Sequence, residues 1–179
     1  MKTIIAILYA HLVKRQNKKW IDNPIKWQTN TFKKLIKNGI KTEFGKNHDF
    51  ENIKSYEQYK EKVPVRDYEE LRPYIEKVVN GEKDILWPGK PLYFAKTSGT
   101  TSGAKYIPIT KESIKTHIRS ARDALLNYFL KTKNFKPLNG KHMFLQGSPE
   151  LDKKQGIYHG RLSGISAHYV PKLFLRNRK

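Results

Sequence analysis

Residues 96–108 read Lys-Thr-Ser-Gly-Thr-Thr-Ser-Gly-Ala-Lys-Tyr-Ile-Pro, and this stretch is the most informative part of the sequence about the fold. Two short apolar runs, residues 92–95 and residues 106–109, flank a loop made almost wholly of glycine, serine and threonine. Apolar runs of this length predict buried strands. Because an ordinary hairpin uses about two to five loop residues, a longer loop rich in hydroxyl groups indicates a ligand-binding loop.

The composition of this loop suits an anionic ligand. Gly99 and Gly103 let the backbone approach a ligand closely, and successive backbone N–H groups form a concavity that binds anions. Lys105 adds a mobile positive charge suited to a polyphosphate. The spacing differs from a Walker A loop, because Tyr106 follows the lysine, and it also differs from G-x-G-x-x-G. The hydroxyl donors of the loop are Ser98, Thr100, Thr101 and Ser102.

Helical patterns dominate the first 80 residues. Residues 3–16 predict an amphipathic helix whose apolar face carries Ile4, Ile5, Leu8 and Leu12. A second helix is predicted from Pro24 to the stop signal at Gly39. Its apolar stripe comprises Trp27, Thr31, Leu35 and Ile36. Residues 45–53 are predicted to form a loop.

Two sequence patterns resemble capping boxes, in which a polar residue is followed three positions later by Gln or Glu. Ser55 with Gln58 predicts a short helix that ends before Pro64. Asp67 with Glu70 predicts a second helix, with Pro73 inside it and a stop at residues 80–81. The apolar side of this second helix carries Leu71, Ile75 and Val78.

The pattern after the loop changes from strand to helix and back. Thr110 is predicted as the N-cap of a long helix. The apolar residues of that helix recur at helical spacing at Ile114, Ile118, Ala121, Leu125 and Tyr128. Residues 142–146 predict a further buried strand. Helices followed by strand, loop, strand, helix and strand indicate a mixed α/β fold, with a sheet that is still incomplete near residue 170.

Composition narrows the class of protein. The chain has 179 residues, a formal net charge of +20 and no cysteine, which excludes disulfides and thiolate metal sites. Lysine is scattered at helix-surface spacing, which is typical of a solvated face, although this charge also fits nucleic acid or an anionic membrane. No apolar run reaches the roughly 18 residues of a membrane span, so we expect a cytoplasmic protein.

Several motifs resemble a known family. Ser98-Gly99-Thr100-Thr101 with Lys105 resembles the phosphate loop of the acyl-adenylate-forming superfamily. The context resembles the auxin-responsive (Gretchen Hagen) acyl-acid amido synthetases, most closely their bacterial members. Plant members carry one more residue before the lysine, so the spacing here matches the wider superfamily. The flanking motifs are Thr-Glu-Phe-Gly at 42–45, Val-Pro-Val-Arg-Asp-Tyr at 63–68, Leu-Trp-Pro at 86–88, Leu-Gln-Gly-Ser-Pro at 145–149 and Gly-Arg-Leu-Ser-Gly at 160–164.

The resemblance implies a fold, an activity and a site. It implies that residues 1–179 form the N-terminal portion of an adenylation domain, without the adenine, ribose and lid motifs that the family carries further along. Family members use ATP and Mg²⁺ to convert a carboxylic acid into an acyl-adenylate, which an amino acid then attacks to form an amide. Lys105 would give electrostatic support. The implied ligands of the β- and γ-phosphates are Ser98, Gly99, Thr100, Thr101, Ser102 and Gly103.

Other polar residues carry weaker signals. The histidines at 142, 159 and 168 lack metal-ligand spacing and are interpreted as packing or surface residues, so no metal site is predicted. Asp67, Glu69 and Glu70 are interpreted as capping residues rather than a catalytic cluster. Arg161 and His168 are the weakest candidates, as an edge of an acyl pocket.

Three alternatives stay open at this point. A thiol acceptor would make the protein an acyl-CoA-ligase-type enzyme. A basic nucleic-acid-binding module would fit the positive net charge, although such a module usually has clustered Lys and Arg with aromatic side chains that stack on bases. The chain by itself would be inactive if it is a piece of a longer synthetase.

Overall fold

The computed structural model describes residues 2–97, 104–141, 143 and 145–170. Within them the chain forms seven α-helices, two short 3₁₀ turns and four β-strands. In chain order these are α1 (Lys2–Ile21), α2 (Pro24–Gly39), α3 (Glu43–Asn47), a 3₁₀ turn (Phe50–Asn52), α4 (Tyr56–Lys62), α5 (Tyr68–Val79), β1 (Tyr93–Lys96), β2 (Tyr106–Ile109), α6 (Lys111–Thr132), a 3₁₀ turn (Lys136–Asn139), β3 (Asp152–Lys154), β4 (Ile157–Gly160) and α7 (Leu162–Ala167).

The four strands form one mixed sheet in the order β2-β1-β4-β3. β1 runs antiparallel to β2, with Phe94 opposite Pro108. β1 runs parallel to β4, with Phe94 opposite His159. β3 and β4 form an antiparallel hairpin. The predicted mixed α/β class is confirmed, and β1 and β2 lie where the two apolar runs placed them.

Helices cover both faces of the sheet. On one face, Phe94 and Ile157 pack with Val78 of α5 and with Ile85. On the other face, Ala95 and Ile109 pack with Ile114 of α6 and Ile165 of α7. Because successive side chains of a strand point to opposite faces, the adjacent residues Phe94 and Ala95 anchor two different layers of the core.

The prediction of a strand at residues 142–146 is wrong: the residues of this segment that the structure describes do not form a strand. Met143 and Leu145 are 79% and 89% exposed and lie in irregular backbone. The strand beside β1 is β4 instead, entered through a two-residue turn in which Gln155 and Gly156 both have positive φ. Gln-Gly is a weaker hairpin signal than Asn-Gly or Asp-Gly, and β3 is three exposed polar residues, so neither strand has a clear sequence signature.

Residues 45–53 are largely helical, contrary to the predicted loop. Thr42 is the buried N-cap of α3: its hydroxyl donates to the Gly39 carbonyl (2.7 Å) and accepts from the Gly45 amide (3.0 Å). A Cβ on Gly45 would lie 2.0 Å from the Gly39 oxygen, so α3 packs directly against the end of α2. Gly45, the first residue of the predicted loop, is needed for this close approach.

Helix α1 exists, but its buried face is not the expected one. Ile4, Ile5, Leu8 and Leu12 are 58–64% exposed, whereas Ala10 and Val13 pack on Leu126 and Phe129 of α6. The apolar stripe predicted for α6 is likewise only partly right, because Leu125 and Tyr128 are half-exposed. The stripe predicted for α2 buries Ile36 but leaves Trp27 and Leu35 exposed.

Polar pairs explain this orientation of α1. The Asn17 amide donates to the Asp123 carboxylate (3.1 Å), and the Arg122 guanidinium donates to the Tyr9 hydroxyl (2.7 Å). These bonds to charged groups are stronger than neutral ones, and small Ala10 lets the two helices approach closely. None of the helices in the described ranges is long and apolar enough to cross a membrane.

The three predicted N-cap residues all cap their helices, but only one of the two predicted capping boxes is complete. Asp67 accepts from the Glu70 amide and Glu70 accepts from the Asp67 amide, forming a complete capping box. Thr110 caps α6 with Ser113 in the same way. Ser55 caps α4, but Gln58 accepts from the amide of Lys54 instead of Ser55, so only half of that box is present.

Replacing Asp67 by alanine should lower the free energy of unfolding by about 1 kcal/mol, because the first turn of α5 loses its N-cap acceptor. Urea unfolding followed by circular dichroism measures this. Glu69→Ala is the matched control, since Glu69 is in the same turn but makes only an exposed ion pair with Arg72. Equal losses in the two variants would contradict the capping role.

Candidate phosphate-binding cleft

The parallel pairing of β1 and β4 creates an open cleft. The carboxyl ends of these two strands meet at one edge of the sheet, where Thr97 follows β1 and Arg161 follows β4. A cleft of about 930 Å³ lies there. Ligands of α/β sheets commonly bind beyond the carboxyl ends of parallel strands. The lining residues are Lys96, Thr97, Ala104, His117, Ser148, Glu150, Asp152, His159, Gly160, Arg161, Leu162, Ser163 and Ser166.

The predicted phosphate loop begins and ends at this cleft. The Thr97 amide donates to the Lys105 carbonyl (3.1 Å), which closes the base of the loop. Thr97 and Ala104, the last described residues on each side, both line the cleft. The predicted ligands Ser98, Gly99, Thr100, Thr101, Ser102 and Gly103 lie outside the described residues.

Helix α5 supports the outgoing end of the loop. The Tyr68 hydroxyl, in the first turn of α5, accepts from the Tyr106 amide (2.7 Å). The Lys105 ammonium lies 5.2 Å from the centre of the Tyr68 ring, a cation–π distance. Lys105 therefore rests on the α5 side of the loop, while the cleft itself lies on the β4 side.

Lys96 is the lysine that lines the cleft, and sequence reasoning missed it. Its ammonium lies 3.8 Å from the Asp152 carboxylate on β3, a distance that leaves the pair loosely held. Its position in the sequence could have indicated this role, because Lys96 is the last residue of the strand that leads into the loop. A charged residue at that point reaches the same cleft as the loop.

His159 on β4 is buried between aromatic rings. It is 3% exposed and lies 5.2 Å from the Phe94 ring and 5.7 Å from the Tyr106 ring. Neither ring nitrogen has a hydrogen-bond partner among the described residues. Burial lowers the pKa of His159 below the usual 6.5, as do the charges of Lys96 and Lys154, while Asp152 opposes them. The imidazole is therefore neutral at pH 7.

Two family-like motifs build the far wall of the cleft. The Gly147 amide donates to the Ser163 hydroxyl (2.9 Å). A Cβ on Gly164 would lie 2.1 Å from the Ser148 carbonyl oxygen. The glycines of the Gly-Ser-Pro and Leu-Ser-Gly segments thus let residues 147–149 lie directly on α7. Their role in the described structure is close packing behind the cleft.

Most of the other residues that the sequence singled out form hydrogen bonds, caps or ion pairs that stabilise the fold. A ring nitrogen of His168 lies 2.8 Å from the Pro149 carbonyl oxygen, and Arg161 lines the cleft. Asp67 and Glu70 cap α5, and Glu69 pairs with Arg72. His142 lies outside the described residues. Within the described part of the chain, no three His, Asp or Glu residues are grouped so that they could hold a metal ion.

Comparison with known proteins shows the family of this chain and agrees with its helix-flanked mixed sheet. The profile of the GH3 family N-terminal domain matches residues 13–175. The chain therefore belongs to the GH3 family, the family of the predicted resemblance. Among solved structures, the GH3.15 acyl acid amido synthetase superposes with a TM-score of 0.70 at 23% identity, covering 90% of this chain and 28% of that one.

Curated relatives agree with the family assignment. The chain is 28% identical over 133 residues to the jasmonoyl–L-amino acid synthetase GH3.5 of Oryza sativa subsp. japonica, covering 73% of this chain and 22% of the relative. It is 33% identical over 123 residues to the probable indole-3-acetic acid-amido synthetase GH3.13 of the same plant, covering 66% and 25%. The chain thus spans between a fifth and a quarter of the length of these relatives.

Replacing His159 by leucine should leave the free energy of unfolding at pH 7.5 unchanged or raise it, because an apolar group of similar size replaces an imidazole without partners. A lowered pKa means that the unfolded state takes up the proton first. The free energy of unfolding therefore decreases as pH falls below about 6.5, and His159 contributes at most about 1.4 kcal/mol to this decrease per pH unit. The variant should lose less stability between pH 7 and pH 5.

Urea unfolding at several pH values checks this prediction. His11→Leu is the control, since it removes an imidazole from the exposed surface of α1. A loss of more than about 2 kcal/mol in the His159 variant at pH 7.5 would show that the imidazole nitrogens are hydrogen-bonded after all.

Proposed function

We propose that this chain supplies the phosphate-binding part of an adenylation domain, and that residues 98–103 hold the β- and γ-phosphates of ATP. The observation that carries the proposal is the position of the loop: both of its ends, Thr97 and Ala104, line the cleft at the carboxyl edge of the parallel strands β1 and β4. Backbone N–H groups and hydroxyls are the donors that an anion-binding loop uses.

The proposed reaction has two steps. A carboxylate oxygen of the acid attacks the α-phosphorus of ATP, and the bond from that phosphorus to the bridging oxygen breaks, releasing pyrophosphate and leaving an acyl-adenylate. The amine of an amino acid then attacks the acyl carbon, the amide bond forms, and AMP leaves as the amine loses a proton. Charge accumulates on the departing pyrophosphate in the first step. Preorganised donors at that position lower the barrier.

The described cleft carries charges of both signs. Lys96 and Arg161 bring cationic groups that could face phosphate oxygens, and Glu150 and Asp152 bring carboxylates. Glu150 and Asp152 are the lining carboxylates that would be available to Mg²⁺, which is usually held by substrate phosphates and a few carboxylates and would offset phosphate charge. We assign Lys105 the role of electrostatic support from the α5 side of the loop.

The substrate classes follow from the family. One relative is named a jasmonoyl–L-amino acid synthetase and the other a probable indole-3-acetic acid-amido synthetase. We extend only the shared chemistry to this chain, namely a small carboxylic acid and an amino acid. An amine acceptor is preferred over a thiol because each of these relatives is named as an amido or amino acid synthetase.

Replacing Thr100 and Thr101 together by alanine should weaken binding of Mg·ATP by about tenfold or more, because two hydroxyl donors to charged phosphate oxygens are lost. Phosphorus NMR is the sharpest measurement. In the unchanged chain the β and γ resonances should broaden more than the α resonance, and this difference should disappear in the variant. Thr29→Ala on the exposed surface of α2 is the matched control. Equal broadening in all three proteins would show that the loop does not bind the β- and γ-phosphates.

Single variants of Lys96 and Lys105 can show which of the two lysines gives electrostatic support to phosphate binding. Lys105→Met should weaken binding of inorganic tripolyphosphate about threefold to tenfold at low salt, and the effect should shrink in high salt as the charge is screened. Lys105→Arg should retain most of the affinity. Calorimetric titration measures both. If Lys105→Met binds normally and Lys96→Met does not, the electrostatic role belongs to Lys96.

A further inference from the structure

The outward side of α1 carries an apolar surface with no covering element among the described residues. Ile4, Ile5, Leu8 and Leu12 are 58–64% exposed. They point away from α6 because Ala10 and Val13, on the opposite side of α1, are the residues packed against it. A group of four large aliphatic side chains in water is unusual unless it has a partner.

The same side of α1 becomes basic towards its C-terminal end. Leu8, Leu12, Arg15 and Lys19 are spaced by four, three and four residues, which places them along one side of the helix. Arg15 and Lys19 then line a groove of about 490 Å³ between the end of α1 and the start of α2, together with Lys18, Lys26 and Trp27. Asp22 adds one carboxylate to this lining, against four basic side chains. We call residues 4, 5, 8, 12, 15 and 19 the outer face of α1.

Charge is strongly biased around this face. The first 42 residues contain ten lysines and arginines but a single acidic residue, Asp22. Positive charge near an interface attracts anionic lipid headgroups. The exposed ring of Trp27, at the edge of the groove, is of the kind that prefers the boundary between headgroups and acyl chains.

We propose that the outer face of α1 docks this protein on the surface of an anionic lipid bilayer. The aliphatic half would enter the boundary between headgroups and acyl chains, and the groove would hold lipid phosphates. A helix with an apolar side and a basic polar part lies in the plane of the interface.

Other occupants fit the outer face less well. A nucleic acid would satisfy the charge but leave Ile4, Ile5, Leu8 and Leu12 in water. A second copy of the chain would cover the apolar side chains but bring together two surfaces of like charge. The proposal does not rest on ATP binding, because α1 packs on Leu126 and Phe129, more than two helical turns along α6 from His117 of the cleft.

The test is co-sedimentation of the full 179-residue chain with lipid vesicles. Vesicles of phosphatidylcholine alone are compared with an equimolar mixture of phosphatidylcholine and phosphatidylglycerol. We expect at least about tenfold stronger binding to the mixed vesicles at low salt, and a loss of that preference in high salt. Failure to bind the mixed vesicles, or equal binding to both kinds, would overturn the proposal.

Two variants separate the apolar and basic contributions. Leu8→Ser with Leu12→Ser should reduce binding to the mixed vesicles about tenfold or more, because buried CH₂ groups are lost from the interface. Arg15→Gln with Lys19→Gln should remove most of the preference for phosphatidylglycerol. All four side chains are exposed, so thermal unfolding is expected to be unchanged. Leu125→Ser, a half-exposed leucine on α6, is the control and should bind like the unchanged chain.

Two further measurements distinguish the other occupants. If a DNA duplex binds more tightly than the mixed vesicles, and the double serine variant binds it unchanged, the face is a polyanion surface and the proposal is wrong. Size-exclusion chromatography with light scattering tests self-association. A dimer that the serine substitutions convert to a monomer, without any change in vesicle binding, would assign the face to a second copy instead.

Discussion

The parallel pairing of β1 with β4 is the contact on which the candidate site depends. It sets Tyr93 beside Tyr158, Phe94 beside His159 and Ala95 beside Gly160. Two segments far apart in the chain thereby end at the same edge of the sheet. The glycine, serine and threonine loop leaves from one strand and Arg161 follows the other, so the cleft between them exists only while this register holds. A shift by one residue would exchange the buried and exposed side chains of β4.

One buried side chain at this edge of the sheet, that of His159, is unfavourable for stability. His159 is enclosed by Phe94 and Tyr106 with no hydrogen-bond partner among the described residues. An unpaired buried polar group lowers stability by about 1–3 kcal/mol. Departures of this kind from good packing are expected mainly at functional sites. Its place beside Lys96 and Asp152, in the wall of the cleft, is consistent with that expectation.

A second set of contacts decides what the surface of the protein presents. Asn17 with Asp123, and Tyr9 with Arg122, fix the rotation of α1 on α6. This rotation buries the smaller apolar residues Ala10 and Val13 and leaves the larger ones outside. The cleft and the outer face of α1 are thus organised by different contacts, one within the sheet and one between helices. The helix α6 takes part in both, through Leu126 and Phe129 against α1 and through Ile114 beneath the sheet.

Local sequence patterns were enough to predict the features that depend on residues close together in the chain. The strands on each side of the loop, the caps at Asp67 and Thr110, the mixed α/β class and the family all followed from short motifs and periodicity, because caps and turns involve residues close in the chain. Tertiary structure decided the rest. The strand β4 replaced the one expected at 142–146, α1 turned its larger apolar residues outward, and Lys96 and His159 joined the cleft. Each of these depends on contacts between residues distant in the chain, and such contacts leave no periodic signal in the sequence.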